Sequence, residues 1–253
     1  MKIASLAFET TNLVNKEIET SVHSLLFDIK CPTNSPANTL IDALQLMNES
    51  FGATSLTLTR ESGSETTTLQ AKILLAHIAE MSANNGGMIR VDADGLNSAR
   101  IRFTVELSND GAFRLDDNSK IILNIERKLP NVSMDIYALD TPTEATTVLK
   151  YDKKYLNSSV EKDLDTMATD VFCAKVDNID VIKLFYNNGK QVTMTVEELK
   201  IRLLDSQDPI IVSNGNTYYG YGSMACINVQ DCWKISVTMS NSDTVYIVKT
   251  VNI

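Results

Sequence analysis

The chain has 253 residues, 43% hydrophobic and 22% charged, enough for one large β domain or two ordinary domains, each with a buried core. Its 23 basic and 32 acidic side chains give a net charge of −9, which disfavours a phosphate backbone as partner, because such binding draws mostly on Lys and Arg. The longest apolar run, Ile73 to Ala76, is too short to span a bilayer, and Glu9 and Glu17 arrive too early for a signal peptide.

In chain order, strand signals dominate. KIASLAF (from Lys2), VHSLLFDIK (from Val22) and SLTLTR (from Ser55) open the first half. NTLIDALQLMNES, Asn38 to Ser50, fits either a helix, through Leu40, Leu44 and Met47, or a strand, through Leu40, Asp42, Leu44 and Leu46. TTLQAKILLAHIAEM places Leu69, Ile73, Ala76 and Met81 on one helical face. In IRFTVEL, Ile101, Phe103, Val105 and Leu107 share one strand face while Arg102, Thr104 and Glu106 share the other. Asn109-Asp110-Gly111 is a turn, and KIILNIER closes the half. Beyond a short linker around Pro130 come VSMDIYAL, VIKLFY, the Asn187-Asn188-Gly189 turn and QVTMTV. A helix follows at VEELKIRLL, with Val196, Leu199 and Leu203 on one face. The last strands are PIIV, MACINV, WKISVTM and TVYIVKTV.

The two halves repeat. Shifted by 126 positions, Leu56-Thr57-Leu58 falls on Ile182-Lys183-Leu184, Gly63 on Gly189, Ile73 on Leu199, and Ile121-Ile122 on Ile247-Val248. Each half reads as strands, a hairpin turn, one helix and a closing apolar strand, so the chain divides into 1–129 and 130–253.

Three stretches per half carry a family likeness. They are LLFDIKCPTNSPANTLIDALQLM, ATSLTLTRESGSETTTLQAKILLAHI and KIILNIERKL in the first. In the second they are DVFCAKVDNIDVIKLFYNNGKQVTMTVEELKIRLLD, WKISVTM and TVYIVKTVNI. Written twice, this pattern resembles the double jelly-roll major capsid proteins of icosahedral, membrane-containing viruses, in particular the PM2-like bacteriophage branch. The resemblance implies an all-β fold of two tandem antiparallel jelly-roll sandwiches, each with a short peripheral helix. It also implies homotrimers of pseudo-hexagonal outline that tile an icosahedral shell. Neighbouring trimers, penton and minor capsid or membrane proteins and an internal lipid membrane would be the partners. The protein would be made in the host cytoplasm, reside in the virion and make no direct contact with nucleic acid.

Nothing in the sequence points to an enzyme, and no catalytic, cofactor-binding or metal residue is assigned. There is no GxSxG, HExxH or CxxC pattern and no phosphate-cradling glycine loop. His23 and His77 read as structural or surface residues. Asp92 and Asp94, ahead of Gly95, start like a calcium loop, but the later ligand positions are missing, so a solvated turn is the reading. Asp116-Asp117 and Glu161, Asp163 and Asp165 read the same way. Calcium bridging neighbouring copies suits an acidic shell protein, but the sequence gives it no position. Cys31, Cys173, Cys226 and Cys232 read as small buried hydrophobes of a reducing compartment. Cys226 and Cys232, in one strand, would stand roughly 20 Å apart. Trp233 is expected in the core, and Tyr218, Tyr219 and Tyr221 either form a contact loop or pack locally. Two other classes stay open: a virion spike or receptor-binding β protein, and a ring-shaped DNA sliding clamp, which would need two helices per half.

Overall fold

The computed structural model describes residues 1–6, 13–32, 45–47, 54–83, 89–94, 98–115, 118–126, 132–167, 169–204, 209–212, 216–219 and 223–252. Two compact units emerge. One comprises 1–150, 208–219 and 251–253, the other 151–207 and 220–250.

The first unit opens with β1 (Lys2–Leu6), β2 (Leu13–Ile18) and β3 (Ser24–Pro32). The hairpin β4 (Ser55–Ser62) and β5 (Glu65–Leu74) turns at Gly63, whose positive φ of 60° suits a residue without Cβ. Helix α1 (Leu75–Ala83) follows, then β6 (Ile89–Ala93), β7 (Ser98–Glu106), β8 (Ser119–Glu126) and β9 (Ser133–Leu139). A later hairpin, β15 (Pro209–Val212) and β16 (Asn216–Tyr219), completes the unit. Its larger sheet has the order β1-β9-β3-β7-β6-β15-β16, and a second array runs β5-β4-β8-β2. The pair β6–β15 is parallel.

Alternation works as the sequence requires. Leu25, Phe27 and Ile29 of β3 are buried, as are Ile101, Phe103 and Val105 of β7 and Met134, Ile136 and Ala138 of β9. Phe27 lies opposite both Phe103 and Ile136, and the two phenyl rings stack at 5.1 Å with 9° between their planes. The second array buries Leu56 and Leu58 of β4 and Ile121, Leu123 and Ile125 of β8.

The units do not follow the halves 1–129 and 130–253. β9 pairs with β1 and β3, which draws residues 133–139 into the first unit, and β15 adds to that unit's sheet from far along the chain. A local repeat marks where a module recurs but is blind to such long-range pairing.

The second unit begins within β10 (Thr147–Leu156), which runs across the boundary, and continues with β11 (Lys162–Asp165) and β12 (Val171–Lys175). A 3-10 turn, Val176–Asn178, leads to the hairpin β13 (Ile179–Tyr186) and β14 (Gln191–Thr195) and to helix α2 (Val196–Leu204). The strands β17 (Met224–Asn228), β18 (Cys232–Met239) and β19 (Asp243–Asn252) complete it. β17-β12-β19 form one array and β11-β18-β13-β14 the other. Phe172, Ala174, Ala225, Ile227 and Val245 of the first array join Ile182, Leu184, Ile235 and Val237 of the other in one core, closed by Leu199 and Leu203 of α2.

The hairpin-plus-helix module is therefore present in both units, with Gly189 at φ 82° matching Gly63. The copies differ in length: β5 has ten residues and β14 five, so α1 starts later in its module than α2 does. This corrects the helix expected from Thr67 onward. Leu69 and Ile73 are strand residues, because Leu56 pairs with Ile73 and Leu58 with Gln70 across the hairpin. The β-branched run Thr66-Thr67-Thr68 favours that outcome. α2 begins with a reciprocal cap, in which the Thr195 N–H donates to Glu198 Oε2 at 2.9 Å and the Glu198 N–H donates to Thr195 Oγ1 at 3.4 Å. α1 is buried along all nine residues, as befits a helix apolar on most sides. Of the ambiguous segment Asn38–Ser50, residues 45–47 are helical and the rest lies outside the described residues. No helix among the described residues is long and apolar enough to cross a membrane.

Candidate functional site

The residues singled out for chemistry are dispersed and engaged. His23 Nδ1 lies 2.9 Å from the Gly111 carbonyl, and His77 is buried within α1. Glu161 pairs with Lys183 at 2.9 Å, Asp163 with Lys234 at 3.1 Å, and Asp165 accepts the Met167 N–H at 2.8 Å. Asp116, Asp117, Gly95 and Tyr221 lie outside the described residues, as do the side chains of Tyr218 and Tyr219. Cys31, Cys173 and Cys232 are buried, while Cys226 is half-buried. Among the described residues no group of three His, Cys, Asp or Glu side chains is placed to hold a metal ion.

Asp92 is a strand residue of β6 and not part of a turn, while Asp94 follows the strand and stays partly exposed. β6 carries Asp92 onto the outer face of the larger sheet in the first unit, where it accepts from Arg90 Nε and Arg102 Nη2, each at 2.8 Å. Lys30 holds Asp94 at 2.9 Å and lowers its carboxyl below the ordinary range. On the same face Arg100 forks onto Asp28 at 2.6 and 2.7 Å, and Lys2 reaches Asp135 at 2.8 Å. Asp28 and Asp135 stand directly opposite each other, a like-charge pairing that Arg100 and Lys2 offset. An open cleft of about 490 Å³ runs past Ser5, Asp28, Lys30, Asp94, Arg100 and Asp135. Exposed pairs of this kind are screened by water and add little, so this lattice is a charged surface more than a source of stability.

The second unit carries the feature that sequence reasoning missed. In WKISV a strict period of two would turn Trp233, Ile235 and Val237 to the same side, hence the expectation of a core tryptophan. A bulge intervenes. Tyr186 pairs with Cys232 and Phe185 with Lys234, leaving Trp233 as the extra residue of β18. Cys232 and Ile235 therefore point inward, and Trp233 is 54% exposed. Its ring lies 5.7 Å from that of Phe185, and the Lys234 ammonium sits 4.3 Å from the Phe185 centroid and 5.4 Å from the Trp233 centroid. Asp163 anchors that ammonium; the Ser236 hydroxyl and then Lys234 hold its carboxyl below the usual range. Beside this group the Thr166 hydroxyl donates to the Cys232 carbonyl at 2.5 Å, and the next residue, Met167, is 81% exposed. Indole, phenyl and a positioned cation on one sheet surface match the composition of contact hot spots. A Trp followed by Lys at the start of a strand was the only signal in the sequence.

No protein-family model matches the chain, and no curated protein matches it. Solved structures do. The structure of Sulfolobus turreted icosahedral virus contains a chain that aligns with 99% of this one and 89% of its own length, at a TM-score of 0.59 and 11% identity. The crystal structure of the major capsid protein of that virus aligns over 99% and 95%, at a TM-score of 0.57 and 11% identity. The fold is thus all-β, two jelly-roll sandwiches in one chain.

Proposed function

We propose that the chain is a major capsid protein whose work is assembly. One observation carries this reading: both sandwich units align, in one pass over 99% of the chain, with a viral major capsid protein. Three copies would set six sandwiches around a threefold axis, giving a near-hexagonal block that packs edge to edge into an icosahedral shell. Penton, minor capsid or membrane proteins and an internal lipid layer would complete its surroundings in the virion. The exposed Trp233 and Met167 and the half-buried Phe185 supply apolar area for burial between copies, and the ion lattice of the first unit supplies a charged face that selects register. Multi-angle light scattering on the purified chain tests the reading. The expected mass is about three times 28.0 kDa, with hexagonal particles in negative stain. A monomer that persists at high concentration would defeat it.

A further inference from the structure

We propose that Cys173 and Cys226 form a redox modification site, which closes a disulfide between two adjacent strands of the second unit when a low-molecular-weight disulfide serves as oxidant. Strand register carries the inference. β12 and β17 run antiparallel with Cys173 directly opposite Cys226, between the pairs Phe172–Ile227 and Ala174–Ala225. Antiparallel positions alternate between hydrogen-bonded and non-hydrogen-bonded pairs. Both ends of this ladder set the parity: the Val176 N–H donates to the Ser223 carbonyl at 3.0 Å, and the Val229 N–H donates to the Asp170 carbonyl at 2.9 Å. Even-numbered residues of β12 thus bond to β17, and Cys173 falls in a non-hydrogen-bonded pair. Such pairs bring Cα atoms to about 4.5 Å, inside the roughly 4.4–6.8 Å that a disulfide spans. Directly opposed residues share a face. Phe172, Ala174, Ala225 and Ile227 take the core side, so both sulfurs lie on the other. On its far flank Cys173 meets buried Tyr246 of β19, so across the strands the sulfur next to Cys173 is that of Cys226.

The exchange balances. Cys226, the more exposed thiol, attacks the oxidant as thiolate, forming a mixed disulfide and releasing one small thiol. Cys173 then gives up its proton and displaces the second small thiol, forming the Cys173–Cys226 bond. Two protein thiols are oxidised, and one small disulfide is reduced to two thiols that take up both protons. The link staples β12 to β17 and closes the chain between them, which restricts the unfolded state.

The experiment treats the full chain with oxidised glutathione, alkylates remaining thiols and maps the peptides. The expected product joins the Cys173 and Cys226 peptides, leaves Cys31 and Cys232 alkylated, reverts with reductant and raises the thermal midpoint by about 5 °C or more. Cys173→Ser should leave Cys226 as a glutathione adduct, and Cys226→Ser should leave Cys173 unlinked and alkylated. The wild-type map decides on its own, whether or not a variant folds. Both cysteines alkylated after prolonged oxidation, Cys226 carrying only glutathione, or a link from either to Cys31 or Cys232 would overturn the proposal.

Discussion

Replacing Trp233 with Ala separates a surface anchor from a core residue. A fully covered indole buries 150–250 Å², and 54% of Trp233 is exposed, so covering it against another copy removes roughly 80–135 Å² from water. At about 25 cal/mol per Å² this contributes roughly 2–3 kcal/mol per contact, a loss of about 30- to 150-fold in association when the ring is removed. Within the folded chain the same change removes packing on Phe185 and the Lys234 cation, at a cost of about 1–2 kcal/mol, against about 3–5 kcal/mol for a tryptophan in a core. Urea unfolding reads the second quantity, and light scattering across a dilution series reads the first. An association constant within threefold of wild type would refute the contact role. A stability loss in the core range would refute the outward placement.

Other outcomes follow from named contacts. Phe27→Ala should lower the stability of the first unit by about 3–5 kcal/mol in urea unfolding, and a cycle of Phe27→Leu with Phe103→Leu should show coupling of about 0.5–1.5 kcal/mol; additivity would mean the stack contributes only area. Gly111→Ala should cost at least about 2 kcal/mol in the same assay. A Cβ there would meet the Glu144 carbonyl carbon at 2.5 Å and the Thr143 oxygen at 2.6 Å, both backbone atoms, so relief requires moving the 143–147 segment; an unchanged midpoint would refute the close approach. Thr195→Ala should cost about 1 kcal/mol through loss of the α2 cap, measured by thermal unfolding followed by circular dichroism. Because bonds from Thr195 depress the Glu198 carboxyl below its ordinary 4.5, the support it gives is in place above that value and fades as pH falls through the lowered one. Wild type and Glu198→Ala should therefore converge in acid, and a gap that stays constant would count against the reciprocal cap.

By itself the sequence determined what depends on neighbours along the chain. Alternation in IRFTVEL dictated which side chains of β7 point inward, and they do. Gly63 and Gly189 marked two hairpins because each turn needs a positive φ, and the spacing of Val196, Leu199 and Leu203 fixed the buried face of α2. Of the strands that escaped notice, β2 and β10 did so for a plain physical reason. LVNKEI is a mostly exposed edge strand, and TVLKYDKKYL loses its alternation where Lys153, Lys154 and Tyr155 face solvent. Tertiary structure alone decided the rest. Pairing with β4 extended β5 through Ile73 and delayed α1, the hairpin β15–β16 joined a sheet whose other strands lie between residues 2 and 139, and β9 moved the boundary past Pro130. One bulged residue in β18 turned Trp233 outward, and the register of β12 on β17 set Cys173 against Cys226. Side-chain direction within a strand is a local property of the backbone, whereas register is chosen by burial summed over partners distant in sequence, and a slip of one residue reverses every face.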